Sequence, residues 1–433
     1  MNNHARQIAK AIYLLYIGWL LLHLISNIIE IGSDLDYSGW GLSDMLINYQ
    51  GGFVRRGLLG ELLYQLYEVC PFNVSSCLLI LILGSAIGCF SILLYICHRL
   101  SYSPVLILSG FTLQFMALVE VVGVRRDYLN LLLCLLSFWT YRKWLHKSSI
   151  SLYWLFLCQS TMILSVLLHE GAWFYTTPLL CLHLLMWNKK QLQKSWIESG
   201  VRSFAFISPI AIVMVLLFVH KGNMTIAQSI WQSWQPLFSQ FPLQGTQTPD
   251  LGLSVMCLNC STMDFITGCG VSLWGLTYWG WLPMFPLTLA LFPVLIYLVS
   301  CANYSGISMG YPLRTINKSL MTSIMMLQLC FMSPFFLFLS CDYGRLFCYW
   351  IISSVFAYYI FKEDICCVPT IMHGISERFQ DWIAKSRFFC SPLGYITVLV
   401  LTPCNMVGGA ALGAIPFYRM VHETRTLLME LLF

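Results

Sequence analysis

Arg55 and Arg56 are adjacent in the stretch Asn48–Glu61, NYQGGFVRRGLLGE, of a chain that otherwise avoids charge. Two neighbouring guanidiniums offer forks of donors that match a phosphate or pyrophosphate. Gly51 and Gly52 allow a turn or a close approach, and Gly57 and Gly60 are expected to leave room beside the arginines. Behind them, Leu58, Leu59, Leu62, Leu63, Leu66 and Tyr67 recur at the spacing of an amphipathic helix lying along a membrane surface. The stretch reads as an anion site at a lipid boundary; its plainer reading is a pair of arginines snorkelling to headgroups.

Four other groups carry candidate chemistry. Asp34 and Asp36, with Asp44 further on, follow the first apolar run, where a carboxylate near cations stays ionised and can accept a proton from a hydroxyl. Arg125-Arg126-Asp127 fills a short polar turn and offers a further phosphate contact, or an Arg–Asp pair that closes the turn. His169-Glu170 forms either an acid–base pair or a structural hydrogen-bonded pair at a helix end. Asp342 and Arg345 flank a Tyr-Gly turn, where they bind substrate or pair with each other. No HExxH or other spaced ligand set is present, so no metal site is expected. Cys269 has Cys257 and Cys260 as possible disulfide partners.

The elements that must position these residues follow from composition. Of 433 residues, 58% are hydrophobic and 10% charged, with mean hydropathy +0.72, far from the mixture typical of a soluble domain. Apolar runs at 11–32, 74–98, 103–122, 128–145, 150–168, 171–187, 201–220, 283–302, 320–340, 346–361 and 388–416 predict an all-α, polytopic integral membrane bundle of about 11 helices, within a range of about 10–13. The whole chain, 1–433, reads as a single transmembrane domain. Lys and Arg in the short loops set the orientation. A cytoplasmic N-terminus places most of them inside and leaves Arg55, Arg56, Arg125, Arg126, Lys221 and Arg345 outside, where a ligand is one reason for them. The first outer loop spans 33–72 and holds the amphipathic helix; a large outer loop spans 221–282, whose Trp residues, Trp231 and Trp234 among them, either stack on sugar rings or anchor at the interface; an inner surface helix is expected around 375–383. Neither a phosphate-binding GxxxxGK[ST] loop nor a dinucleotide fingerprint occurs, which argues against a nucleotide-driven enzyme. The basic residues follow topology, so no nucleic-acid partner is implied.

In layout the chain resembles bacterial membrane glycosyltransferases that use polyprenyl-linked sugars, in two groups. Asp34 and Asp36 after the first helix, the helix from Phe53 and the turn Arg125-Arg126-Asp127 resemble the C-type superfamily. Chain size, Cys and aromatic content and outer arginines resemble the O-antigen polymerases of lipopolysaccharide biosynthesis. The long polymerase loop between late helices and the full C-type acidic pattern are both missing; 221–282 is an earlier, moderate substitute. The resemblance implies an enzyme of the bacterial inner membrane with a periplasmic active face and a polyprenyl (undecaprenyl-type) glycan substrate. It implies no organic cofactor, leaves a divalent cation open, and suggests partners in a polysaccharide-assembly complex. Asp34, Asp36, His169 and Glu170 would then be the catalytic candidates, and Arg55, Arg56, Arg125, Arg126, Asp127, Asp342 and Arg345 the substrate contacts. Alternatives are a transferase adding one branch sugar, a flippase or transporter of lipid-linked sugar, and a sugar acyltransferase.

Overall fold

The computed structural model describes residues 37, 39–99, 126–146, 151–240, 251–261, 263, 264, 267, 317–335, 343–362, 368–388 and 425. Every regular element among them is helical. The predicted spans 11–32, 103–122, 283–302 and 388–416 lie outside the described residues. The chain, read from its sequence as one membrane domain, divides into two compact units: 27–93 with 122–265, and 1–26 with 94–121 and 266–433.

In the first of these units the elements are α1 (Trp40–Met45), α2 (Leu58–Val69), α3 (Val74–Arg99), α4 (Asp127–His146), α5 (Ser151–Leu168), α6 (Ala172–Lys190), α7 (Trp196–Val219), α8 (Met224–Trp234) and α9 (Leu253–Met256). Helix α4 starts with an acid and ends with Lys143 and His146, the arrangement that a helix dipole favours. Helix α7 starts where Ser195 accepts the Glu198 amide at 3.1 Å, and α8 where Asn223 accepts the Ile226 amide at 2.9 Å. The turn His169–Gly171 makes α5 and α6 an antiparallel hairpin, with α4 and α7 packed beside it.

Polar side chains zip α4 to its neighbours. Asn130 donates to Tyr175 at 2.7 Å and accepts from Ser165 at 2.5 Å; Ser137 meets Thr161 at 3.0 Å; Tyr141 meets His183 Nδ1 at 2.8 Å. Buried polar groups in an apolar bundle need such partners, and here they come from the facing helix. Outward faces are apolar instead: Ile197, Val201, Phe204, Ile212, Val215 and Phe218 of α7 are all exposed, the reverse of a soluble helix. Among the described residues two helices, α5 and α7, are long and apolar enough to cross a bilayer; α3 contains a shorter apolar stretch at 74–89. Helices α4 and α6 coincide with predicted spans but carry the polar seam.

The loop before α2 is folded back onto the unit. Tyr49 N–H donates to Glu61 of α2 at 2.8 Å, Asn48 to Ser233 at 2.8 Å, and buried Trp234 to the Leu46 carbonyl at 2.6 Å. The glycines expected to make room for the arginines serve this packing. A Cβ on Gly60 would stand 2.2 Å from the Ile47 carbonyl oxygen, and one on Gly51 would stand 2.9 Å from the Ile226 backbone. Trp231 and Trp234 belong to this core, packed in tilted and edge-on contacts with Tyr37, Tyr64 and Phe238, and are not surface anchors of the 221–282 loop.

In the other unit, α10 (Lys318–Pro334), α11 (Tyr343–Phe361) and α12 (Thr370–Lys385) are described. Trp350 donates to the Met325 carbonyl at 2.8 Å and Gln328 to Ser353 at 2.9 Å, joining α11 to α10. The expected surface helix is α12, which lies on α10 through Gln380–Thr322 (2.6 Å) and Ser323–Ser376 (2.8 Å) and exposes Ile371, Ile375 and Trp382.

Gly60→Ala forces the α2 backbone off the 46–47 segment and should destabilise the protein by about 1–3 kcal/mol, as overpacking does. Gly84→Ala meets open space within helix α3 and should be neutral or gain up to about 1 kcal/mol. Thermal melting of the two variants in one detergent checks the contrast.

Candidate functional site

The charged residues gather where the 44–56 segment, the start of α4 and the α5–α6 turn meet. Arg126 is 1% exposed and immediately precedes α4. Its Nη1 donates to the Arg56 carbonyl at 2.8 Å and to the Leu168 carbonyl at 2.7 Å, and Nη2 donates to the Asp44 carbonyl. Its Nε stands 2.7 Å from the Asp44 carboxylate. One guanidinium thus ties three chain segments together.

Arg56 continues the network. It has φ +64°, the left-handed region that a non-glycine residue adopts only when its surroundings hold it there. Its Nε and Nη2 grip Glu170 in a two-pronged pair at 2.9 and 2.5 Å, and Nη1 lies 3.4 Å from Asp44. Arg55 reaches the Glu170 carboxylate from further away. Its Nη2 donates to the Cys257 carbonyl at 3.4 Å, its Nη1 is 4.0 Å from Glu170, and its side chain is 19% exposed. His169 Nδ1 accepts the Gly171 amide at 3.0 Å, which leaves Nε2 to carry the proton of a neutral ring.

The electrostatics follow the geometry. Burial pushes the Asp44 carboxyl up, but Arg126 and Arg56 outweigh it and bring it down to about 2. Glu170 lies well below the usual carboxylate range: burial again opposes ionisation, and Arg56 and Arg55 overcome it. Burial lowers the Arg55 guanidinium, partly offset by Glu170, whereas for Arg56 the two carboxylates more than offset burial. Asp44 and Glu170 are therefore both ionised at neutral pH. Among the described residues, Arg55, Arg56 and Arg126 are drawn together around the carboxylates of Asp44 and Glu170.

Of the residues predicted from sequence, Arg55, Arg56, Arg126, His169 and Glu170 come together, with Asp127 buried in the first turn of α4. Asp34, Asp36, Arg125 and Asp342 lie outside the described residues, as does Cys269; Arg345 falls in the first turn of α11. Asp44 is more central than its place among the loop acids suggested. The seam residues Asn130, Tyr141 and His183 were missed, although Asn130, Cys134, Ser137 and Tyr141 recur on one helical face. Cys257 and Cys260 are free thiols, and burial with Cys260 alongside pushes Cys257 up to about 11. No group of three metal-ligating side chains occurs among the described residues.

Arg126→Ala leaves Asp44 buried with half its compensation and three carbonyls without their donor. It should cost about 3–5 kcal/mol, the range for breaking a buried pair, and Arg126→Lys should not restore it because an ammonium cannot span the same fork. Denaturant unfolding of the full chain reads both. Asp44 and Glu170 have depressed folded-state pKa values, so their stabilisation is complete above their unfolded values near 4 and is lost as pH falls towards about 2. The melting temperature should be flat from pH 8 to about 5 and drop below about 4, and Asp44→Asn should shrink that drop.

Protein-family models, curated proteins and solved structures contain no match to this chain.

Proposed function

We propose that the chain is a polytopic membrane glycosyltransferase with about 11 crossings, set in a bacterial inner membrane with its N-terminus in the cytoplasm. It transfers glycan from a polyprenyl phosphate or pyrophosphate to an acceptor sugar hydroxyl at the periplasmic face, in O-antigen or other surface-polysaccharide assembly. The observation that carries this reading is the arginine-rich cluster at one end of the helix bundle, beside apolar helix faces that suit a lipid carrier.

Transfer breaks the bond between the anomeric carbon and the phosphate oxygen, and the electron pair leaves with the phosphate. The acceptor hydroxyl forms the new bond and gives its proton to a base. Arg55 is the first phosphate contact: its side chain is 19% exposed and adjacent to a preorganised neighbour. Arg56 supports the departing charge from behind, and Arg126 holds the frame. Asp34, Asp36, Glu170 and His169 remain the acid–base candidates. Arg125, Asp127, Asp342 and Arg345 remain the outer candidate contacts. Because the donor arrives activated on its carrier, the reading calls for no nucleotide.

A second reading, a flippase of lipid-linked sugar, is favoured by one observation. Asn130, Tyr141 and His183 place polar groups along the interior of α4 and α6, where a transported head group would need them.

In proteoliposomes supplied with a polyprenyl pyrophosphate-linked oligosaccharide, wild-type protein should produce longer lipid-linked glycan and an equal amount of free polyprenyl pyrophosphate. Arg55→Ala should lower that rate about 100-fold or more, as loss of one charge-stabilising donor does, at unchanged abundance. Release from Arg55→Ala at the wild-type rate overturns the phosphate contact. Movement of the intact donor to the other leaflet without pyrophosphate release selects the flippase.

A further inference from the structure

At the end of the α4–α7 bundle away from the charged cluster, the helices part around a cavity of about 710 Å³, a volume typical of small-molecule sites. Twenty residues of α4 separate the two places, about 30 Å of helix. Trp144 and Phe206 stack at 5.4 Å with ring planes 4° apart and make one wall; Trp187 lines another. Two amides belong to the same lining. Gln159 gives its N–H to the Phe206 carbonyl at 2.8 Å, which fixes its orientation and leaves Oε1 without a partner. Asn188, 3% exposed, leaves Nδ2 without one. An orphaned acceptor and donor in a largely apolar wall, whose other polar members are His146, Ser151 and Arg202, are costly unless something polar enters between them.

Arg202 lines the mouth and brings a cation to it. It pairs with Glu198 at 3.1 Å, an acid that Lys194, next to the lining, also reaches at 3.1 Å. The mouth therefore combines an apolar lumen, a cationic edge and unmet needs for both a donor and an acceptor.

We propose that this cavity is a binding site for an anionic phospholipid whose headgroup carries free hydroxyls, of the phosphatidylglycerol type. An acyl chain occupies the aromatic lumen, the phosphate meets Arg202, and ester and hydroxyl groups answer Asn188 Nδ2 and Gln159 Oε1 after a small shift of those side chains. A neutral zwitterionic lipid matches the lumen but not the rim. The site is separate from the charged cluster, and its occupancy does not depend on the transferase reading.

The test is native mass spectrometry of the full chain in detergent, titrated with phosphatidylglycerol or phosphatidylcholine of matched chains. Phosphatidylglycerol should bind about tenfold more tightly, as expected for one or two basic residues near a lipid surface. Arg202→Gln, at an exposed rim position, should reduce that preference to about threefold or less. Ala205→Trp adds bulk at an exposed lining position and should remove tight binding while the melting temperature is kept. Glycerol phosphate, a headgroup without a chain, should not compete. Equal binding of the two lipids, wild-type binding by Ala205→Trp, or competition by glycerol phosphate as effective as by the lipid would each overturn the proposal.

Discussion

A guanidinium buried to 1% exposure is the constraint on which the cluster depends. Moving such a charge out of water costs several kcal/mol unless every donor and the charge itself are answered. Arg126 is answered by the backbone carbonyls of Asp44, Arg56 and Leu168 and by the Asp44 carboxylate. Those partners come from separate parts of the chain, so the requirement to satisfy one side chain sets where the first loop sits against α4 and α5. Arg56 then takes its left-handed backbone and reaches Glu170 because the carbonyl of Arg56 is already committed to Arg126.

This arrangement gives the three arginines unequal standing. Arg126 is a frame, its fork used up by internal partners. Arg56 is a bridge whose strongest hold is on Glu170. Arg55 donates to the Cys257 carbonyl at 3.4 Å and keeps 19% of its side chain exposed, against 1% for Arg126.

Much of the helical layout was legible because apolar length and the ends of runs are strong local signals: α3 to α7, α10 and α11 coincide with predicted spans to within a few residues. The gathering of Arg55, Arg56, Arg126, His169 and Glu170 at one end was also legible, since alternate connections of an up-and-down bundle share a face. What each arginine does was not. Arg125 and Arg126 are equivalent in sequence, and only the carbonyls of Asp44, Arg56 and Leu168 single out Arg126. Gly57 and Gly60 suggested room for side chains, whereas Gly60 faces the Ile47 carbonyl and Gly57 the Tyr49 ring. Trp231 and Trp234 looked like interfacial aromatics because nothing local shows that Tyr37, Leu46 and Phe238 enclose them. Such long-range pairings are invisible to periodicity.

The folding back of the first loop onto α8 sets an order of events during synthesis. Asn48 and Trp234 bond partners 185 and 188 residues away, and Arg55 reaches Cys257 across 202. At roughly 5–20 residues per second of translation, the arginine pair leaves the ribosome some 10–40 s before the segment that packs against it. During that interval the loop lacks its α8 partners, while helices α3 to α7 are made one after another. The wall over the charged cluster is therefore added last, and a chain stopped before α8 would carry the arginines and their carboxylates without it.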